Sequence, residues 1–157
     1  MAKLYNLYAG DFDRSIEEAE AAIEMGPNEA GPRSALAAWL SFAGRHDQAI
    51  EWASMALRQE HSAAVAIFLK VNFAWVLYFA GRYEEALENI KGSEKFAPDV
   101  AAAIYVRVGR IDEARAIIAD WLKGDAFSIV TESCYAMKEP MKSAWLDDLR
   151  KAGLPEK

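Results

Sequence analysis

The chain is poor in the side chains that carry chemistry. Among its 157 residues it has one cysteine, Cys134, and two histidines, His46 and His61. A lone cysteine forms no internal disulfide, which suits a reducing compartment. Neither histidine lies near Cys134 in sequence, so no nucleophile and base are paired there. No histidine–cysteine cluster has the spacing of a zinc site. The glycines stand singly and make no phosphate loop. The acidic pairs Glu17-Glu18, Glu84-Glu85 and Asp147-Asp148 are adjacent, so on a helix their side chains diverge and read as solvated faces. The expectation is a chain with no catalytic residue, no metal site and no cofactor, and not an enzyme.

Positive charge is short as well. Eighteen lysines and arginines face 24 acidic residues, for a net charge of −6. Phosphate backbones need a basic face, so nucleic acid is excluded as a partner, and an anionic membrane surface is disfavoured for the same reason. One long apolar run exists. Residues 63–80 are apolar apart from Lys70 and Asn72, close to the length that spans a bilayer. A charge in the middle of such a run costs roughly 2.5–3.5 kcal/mol on insertion scales, so the run reads as a buried helix and no membrane span is expected. Met1 to Gly10 lacks the charged-then-apolar order of a signal peptide. The expected location is cytoplasmic.

What the chain has is repetition and apolar surface, with 53% hydrophobic residues. A short phrase recurs four times: glycine, any residue, a bulky residue, two polar residues, then alanine. The copies are Gly10-Asp11-Phe12 with Ser15 in the alanine slot, Gly44-Arg45-His46 with Ala49, Gly81-Arg82-Tyr83 with Ala86, and Gly109-Arg110-Ile111 with Ala114. The glycines lie 34, 37 and 28 residues apart (10 to 44, 44 to 81, 81 to 109). A period near 34 marks a solenoid of helix–turn–helix units that bury their apolar faces by stacking.

Each glycine reads as the turn between a first helix A and a second helix B, because glycine takes positive φ without a Cβ clash. The B helices are expected over 13–25, 47–58, 84–95 and 112–123, each opening near an acid: Asp13, Asp47, Glu84 or Asp112. An acid there can accept free N–H groups and suits the positive end of the helix. Their apolar residues keep helical spacing, as in Ala49, Ile50, Ala53, Ala56 and Leu57. The A helices are expected over 32–43, 63–80 and 99–108, with 2–9 supplying the last two turns of a further one. Pro27 and Pro98 close units one and three. A solenoid that starts in mid-helix suggests a piece excised from a longer protein. After an irregular stretch, 124–139, Pro140 opens a last helix of 140–152. Its stripe of Met141, Trp145, Leu146 and Leu149 suits a cap over the open end of the core, with Asp147, Asp148, Arg150 and Lys151 turned elsewhere.

The phrase Gly81-Arg82-Tyr83-Glu84-Glu85-Ala86-Leu87 with Pro98 resembles a tetratricopeptide (TPR) repeat, and so do the copies at Gly109 and at Gly10 with Pro27. The resemblance covers residues 1 to about 123, in units of about 1–27, 28–61, 62–98 and 99–123. Ser15, His46 and the short helix A of unit four depart from it. The tail Leu146-Asp147-Asp148-Leu149-Arg150-Lys151-Ala152-Gly153-Leu154-Pro155 is similar to one that closes bacterial TPR regions following class III adenylate/guanylate cyclase or winged-helix regulator domains. The resemblance implies an all-α fold: a right-handed α-solenoid of antiparallel helix pairs with a capping helix at the C-terminus.

It also implies that the A helices line a concave face. In unit three Phe73, Ala74 and Leu77 match packing slots, leaving Phe68, Val71, Asn72, Trp75, Tyr78 and Phe79 on the other stripe. Ser34, Ala38 and Ser41 are the matching positions in unit two, small enough to leave room, and Tyr8 is the one in unit one. These ten residues are the expected partner-binding groove, the alternative being that Phe68, Trp75 and Tyr78 pack against neighbouring A helices as core. Modules that clamp acidic chaperone tails carry basic residues and asparagine there. Here only Asn72 is polar in the right region, so acidic-tail recognition is unexpected. The function expected is a scaffold that holds a peptide or partner protein. The alternatives are self-association as a homo-oligomer, or a regulatory segment of a bacterial nucleotide cyclase or transcription regulator.

Overall fold

The computed structural model describes residues 12–123 and 137–155. The turn at Gly10, the partial helix over 2–9, Tyr8, Cys134 and most of the irregular stretch lie outside the described residues. Those described form eight α-helices and one short 3₁₀ turn, with no strand among them. The helices are α1 (Phe12–Met25), α2 (Ala30–Phe42), α3 (His46–Gln59), α4 (Ala63–Phe79), α5 (Tyr83–Ile90), α6 (Pro98–Arg107), α7 (Ile111–Trp121) and α8 (Met141–Lys151). The 3₁₀ turn, Glu94–Phe96, precedes α6. The fold is all-α, as the periodicity predicts. The longest apolar helix, α4, has 17 residues, and no helix among the described residues is long and apolar enough to cross a membrane.

Three turns share one geometry. Gly44, Gly81 and Gly109 have φ of 80°, 75° and 80°. After each, the next N–H bonds back to a carbonyl five residues earlier: Arg45 to Leu40 at 2.8 Å, Arg82 to Leu77 at 2.9 Å and Arg110 to Tyr105 at 2.8 Å. The glycine N–H itself bonds to the carbonyl three residues earlier, on Ser41, Tyr78 and Val106. This left-handed C-terminal motif satisfies carbonyls that a helix end leaves free. The same motif at Gly153 (φ 98°) ends α8.

The helix that follows opens differently from the sequence expectation. Arg45, Arg82 and Arg110 take the N-cap position, and none of them makes a side-chain cap bond. The acids Asp47, Glu84 and Asp112 lie two residues further on, inside the first turn, where they meet the helix dipole. The arginines reach forward three residues, to Gln48, Glu85 and Glu113. These are surface pairs of small energetic weight, about 0–1 kcal/mol.

Two other boundaries move. Helix α5 stops at Ile90, five residues before the expected end, because Gly92 takes positive φ (78°) and Ser93 turns back to the Ile90 carbonyl at 2.9 Å. Pro98 opens α6 instead of closing α5, at a first-turn position where its missing N–H leaves no bond unmade. The loop after α1 is held by the buried Arg33, whose guanidinium donates to the carbonyls of Pro27 and Glu29.

Packing follows chain order. Each helix from α1 to α7 lies against the next one in sequence, and α2 also touches α4, as α4 touches α6. Small residues let the backbones approach: Ala37, Ala49, Ala53, Ala74, Ala86, Ala101, Ala102, Ala103 and Ala114 are all buried. The last helix departs from the sequence expectation. It lies on α6 and reaches back across α4, so it does more than close an open end. Trp145, Leu149, Ala152 and Leu154 carry it into the same core as Leu77, Ile90, Ile104 and Ile118.

Gly81→Ala introduces a Cβ that meets nothing within 4 Å. Its cost is therefore conformational, and denaturant unfolding should show a loss of about 1–2 kcal/mol. Asp99, buried in the first turn of α6, has its carboxyl pushed above the ordinary range by burial, against the hydrogen bonds of nearby backbone N–H groups. A raised carboxyl favours the native state below the unfolded value and loses that contribution as pH rises through the folded one. Asp99→Asn should therefore raise the melting temperature at pH 7, with the gain shrinking as pH falls toward 4.

Candidate functional site

Helix α4 has so little polarity that its two faces cannot be told apart by composition, and its neighbours decide what each face does. Ser62 caps it, accepting from the N–H of Val65. On one face Ala74 and Leu77 are buried and Phe73 is half-buried, as expected for packing slots. The other stripe passes through Phe68, Val71, Asn72, Trp75, Tyr78 and Phe79, and it divides along its length.

The N-terminal half is open. Phe68 is 65% exposed. Its ring lies 6.4 Å from that of Phe96, itself exposed, and Val65, three residues before it, is exposed as well. Lys95 Nζ sits over the Phe96 ring, 5.1 Å from its centroid. Val71 is half-buried. Asn72 is half-buried and occupied: its Nδ2 donates to the carbonyl of Ser34 at 2.8 Å and to the Ser34 hydroxyl at 2.6 Å. This pair ties α2 to α4 across the stripe.

The C-terminal half is covered. Trp75 stacks on Trp145 of α8, with centroids 5.3 Å apart and planes 13° from parallel. Phe79 stacks on the same indole at 6.0 Å, and Tyr78 meets it edge-on at 5.7 Å. Phe42, at the end of α2, meets Trp75 at 6.1 Å and Phe79 at 6.0 Å, both edge-on. Phe12 of α1 lies 6.2 Å from Phe42. The rings thus form a row from α1 to α8. Of the groove positions on α2, Ala38 and Ser41 are buried and Ser34 is half-buried.

One carboxylate holds α8 in place. Asp148 is fully buried. Its Oδ2 accepts from the Tyr78 hydroxyl at 2.5 Å and from Arg107 Nε, and Lys151 Nζ lies 3.4 Å from Oδ1. The Arg107 guanidinium also sits 5.5 Å over the Tyr83 ring. A buried carboxylate is tolerated only when paired and hydrogen-bonded. Hydrogen bonds to a charged group contribute about 1.5–3 kcal/mol each. Burial first, then the hydrogen bond and charge of Asp148, push the Tyr78 phenol well above its ordinary range. Tyr78 therefore stays a donor at neutral pH. Burial lowers the Arg107 guanidinium, but the bond and charge of Asp148 outweigh that and hold it above its ordinary value.

The sequence reading puts Asp148 among solvated acids, and the structure reverses this. Asp147 is exposed and pairs with Arg150 at 2.7 Å, while Asp148 points inward. The missed signal is spacing: Trp145, Asp148, Leu149 and Ala152 lie at i, i+3, i+4 and i+7 on one helix face. Arg107 was missed as well, because its partner lies 41 residues away in sequence.

Among the described residues Trp75 Nε1, Trp145 Nε1 and Ser41 Oγ are buried with no hydrogen-bond partner. Each buried unpaired group costs about 1–3 kcal/mol. His46 lies at the first residue of α3, its buried Nδ1 without a partner among the described residues, and His61 is exposed. No group of three or more metal-binding side chains comes together among the described residues.

The two halves of the stripe should respond differently to truncation. Trp75→Ala removes a ring packed against three others and should lower unfolding stability by about 3 kcal/mol. Phe68→Ala should stay within about 1 kcal/mol, since exposed positions contribute little. Paired denaturant melts check both values. Compared with models of known families and with curated proteins, the chain matches none of them.

Proposed function

We propose that this chain is a tetratricopeptide-type scaffold, a right-handed solenoid of antiparallel helix pairs that binds a peptide or partner protein and performs no chemistry of its own. Three superimposable turns, each helix laid on its sequence neighbour, and contacts from α2 to α4 to α6 all support that arrangement. It is the order expected of units that complete one another's cores.

The observation that carries the binding role is the uncovered half of the α4 stripe. Among the described residues four large apolar side chains are exposed: Met25, Val65, Phe68 and Phe96. Three of them cluster: Val65 and Phe68 are one helical turn apart, and Phe68 contacts Phe96. Contiguous apolar surface of this kind marks contact sites, and aromatic rings offer large area at low entropic cost. The patch suits an apolar segment of a partner, held without charge pairing apart from Lys95 at its rim.

The test is Phe68→Ala. Immobilised wild-type chain should capture a partner from a cell extract, and the variant should capture at least tenfold less while its helical circular dichroism is unchanged. Equal capture by both would refute the binding role of this patch. Light scattering over a dilution series separates partner binding from self-association. A species that doubles in mass with concentration, and does so only when Phe68 is present, would assign the patch to a second copy.

A further inference from the structure

The face expected to receive a partner already holds a helix. Trp145 covers Trp75, Tyr78 and Phe79, three of the residues that the TPR resemblance assigns to the groove. Phe68, two helical turns before Trp75 on the same stripe, remains open. The occupant comes from the chain's own C-terminal segment, separated from α7 by residues 122–140. On its way in, that segment passes the far end of the row of rings, where Lys138 Nζ lies 4.5 Å over the Phe12 ring.

The contact is specific in pattern and incomplete in polar pairing. Its specificity lies in a ring at i, an acid at i+3 and a leucine at i+4: Trp145 in the aromatic row, Asp148 between Tyr78 and Arg107, Leu149 in the core. Its incompleteness lies in the stacked indoles of Trp75 and Trp145, whose N–H groups are buried without acceptors among the described residues. Buried polar groups in a permanent core are nearly always paired. A seat that leaves two unpaired is one that a better-matched helix can take.

We propose that α8 is a resident stand-in for a partner helix: the stripe of α4 and α6 recognises an amphipathic helix with a ring–acid–leucine pattern, and an external helix of that kind displaces α8 and runs on toward Phe68. This rests on the reading of the face as a binding surface. The Tyr78–Arg107 pair reads the acid, and the aromatic row reads the ring. Because α8 is tethered, it competes at high effective concentration. Only a partner that binds the open Phe68 end as well, or satisfies the unpaired donors, outcompetes it.

The test uses the full chain and a fluorescent peptide of residues 139–154 added in trans. The Asp148→Ala chain, its own helix released, should bind the peptide at least tenfold more tightly than wild type does. A peptide carrying the same Asp148→Ala change should bind at least tenfold more weakly than the unaltered one. Equal binding to both chains, or no binding by a folded Asp148→Ala chain, overturns the proposal. If that variant fails to fold, hydrogen exchange on the wild-type chain decides. Amides of 144–152 should exchange at least tenfold faster than those of 101–107, and exchange of both sets at one common rate makes α8 an inseparable part of the core and overturns the proposal. A wild-type dimer that dissociates with excess peptide would place a second copy's α8 in the seat and overturn the intramolecular assignment. Loss of capture in Phe68→Ala without any peptide binding in trans would sink the self-occupied seat and leave the scaffold reading standing. Peptide binding with no effect of Phe68→Ala on capture would do the reverse.

Discussion

Left-handed backbone at three glycines is the constraint from which the remaining architecture follows. Gly44, Gly81 and Gly109 reverse the chain within a few residues, and the N–H after each glycine reaches five residues back. That closure fixes how one helix leaves another, so each helix lies against the next. The apolar surface on α2, α4 and α6 then exceeds what a single neighbour can cover, and these helices meet one another as well. Alanines at the contacts set the spacing: Ala74, Ala86, Ala101 and Ala114 are wholly buried. Larger side chains there would hold the helices apart and open voids, because interiors are packed close to crystal density.

The C-terminal helix answers a problem that the stacking leaves. An α4 that is apolar on every side needs cover on more than two faces. Trp145 supplies it for the C-terminal half, joining a row of rings that runs from Phe12 through Phe42, Trp75 and Phe79. Dispersion alone would let the helix slide along such a row, since ring faces are alike. The buried Asp148, bound by Tyr78 and Arg107, removes that freedom by fixing register and rotation. Buried ionic groups are poor sources of net stability and good sources of specificity, as a charge that must be paired allows few alternatives. The covered and open halves of the stripe therefore differ in kind: one is set by a polar lock, the other by exposed rings alone.

The sequence was a good guide where the deciding energy is local. The phrase at Gly44, Gly81 and Gly109 located the turns because positive φ is a property of a single residue, and helical spacing of apolar residues placed α2, α3, α4, α6 and α7 within a few positions of their ends. It failed where two local rules competed. Pro98 reads equally as a stop or as a first-turn residue, and only the bend at Gly92 decides for α6. The acids at the B-helix starts looked like caps, yet the preceding arginine takes the cap position in all three described turns, because the glycine reversal leaves the backbone there at φ near −90° and ψ near 60°.

Residue order by itself determined that the chain is helical, where its reversals fall and which helix is apolar all round, since each of these follows from interactions spanning a turn or two. Its spacing also sets Trp145, Asp148 and Leu149 on one face, although the reading of the sequence turned Asp148 away from it. Where that face goes was decided only in three dimensions. The bond from Tyr78 to Asp148 joins positions 70 residues apart, and nothing in the local pattern of either helix names the other. The same distance explains why half of the aromatic stripe is covered and half is open: exposure belongs to the assembled neighbours of α4, and not to the apolar residues that α4 carries.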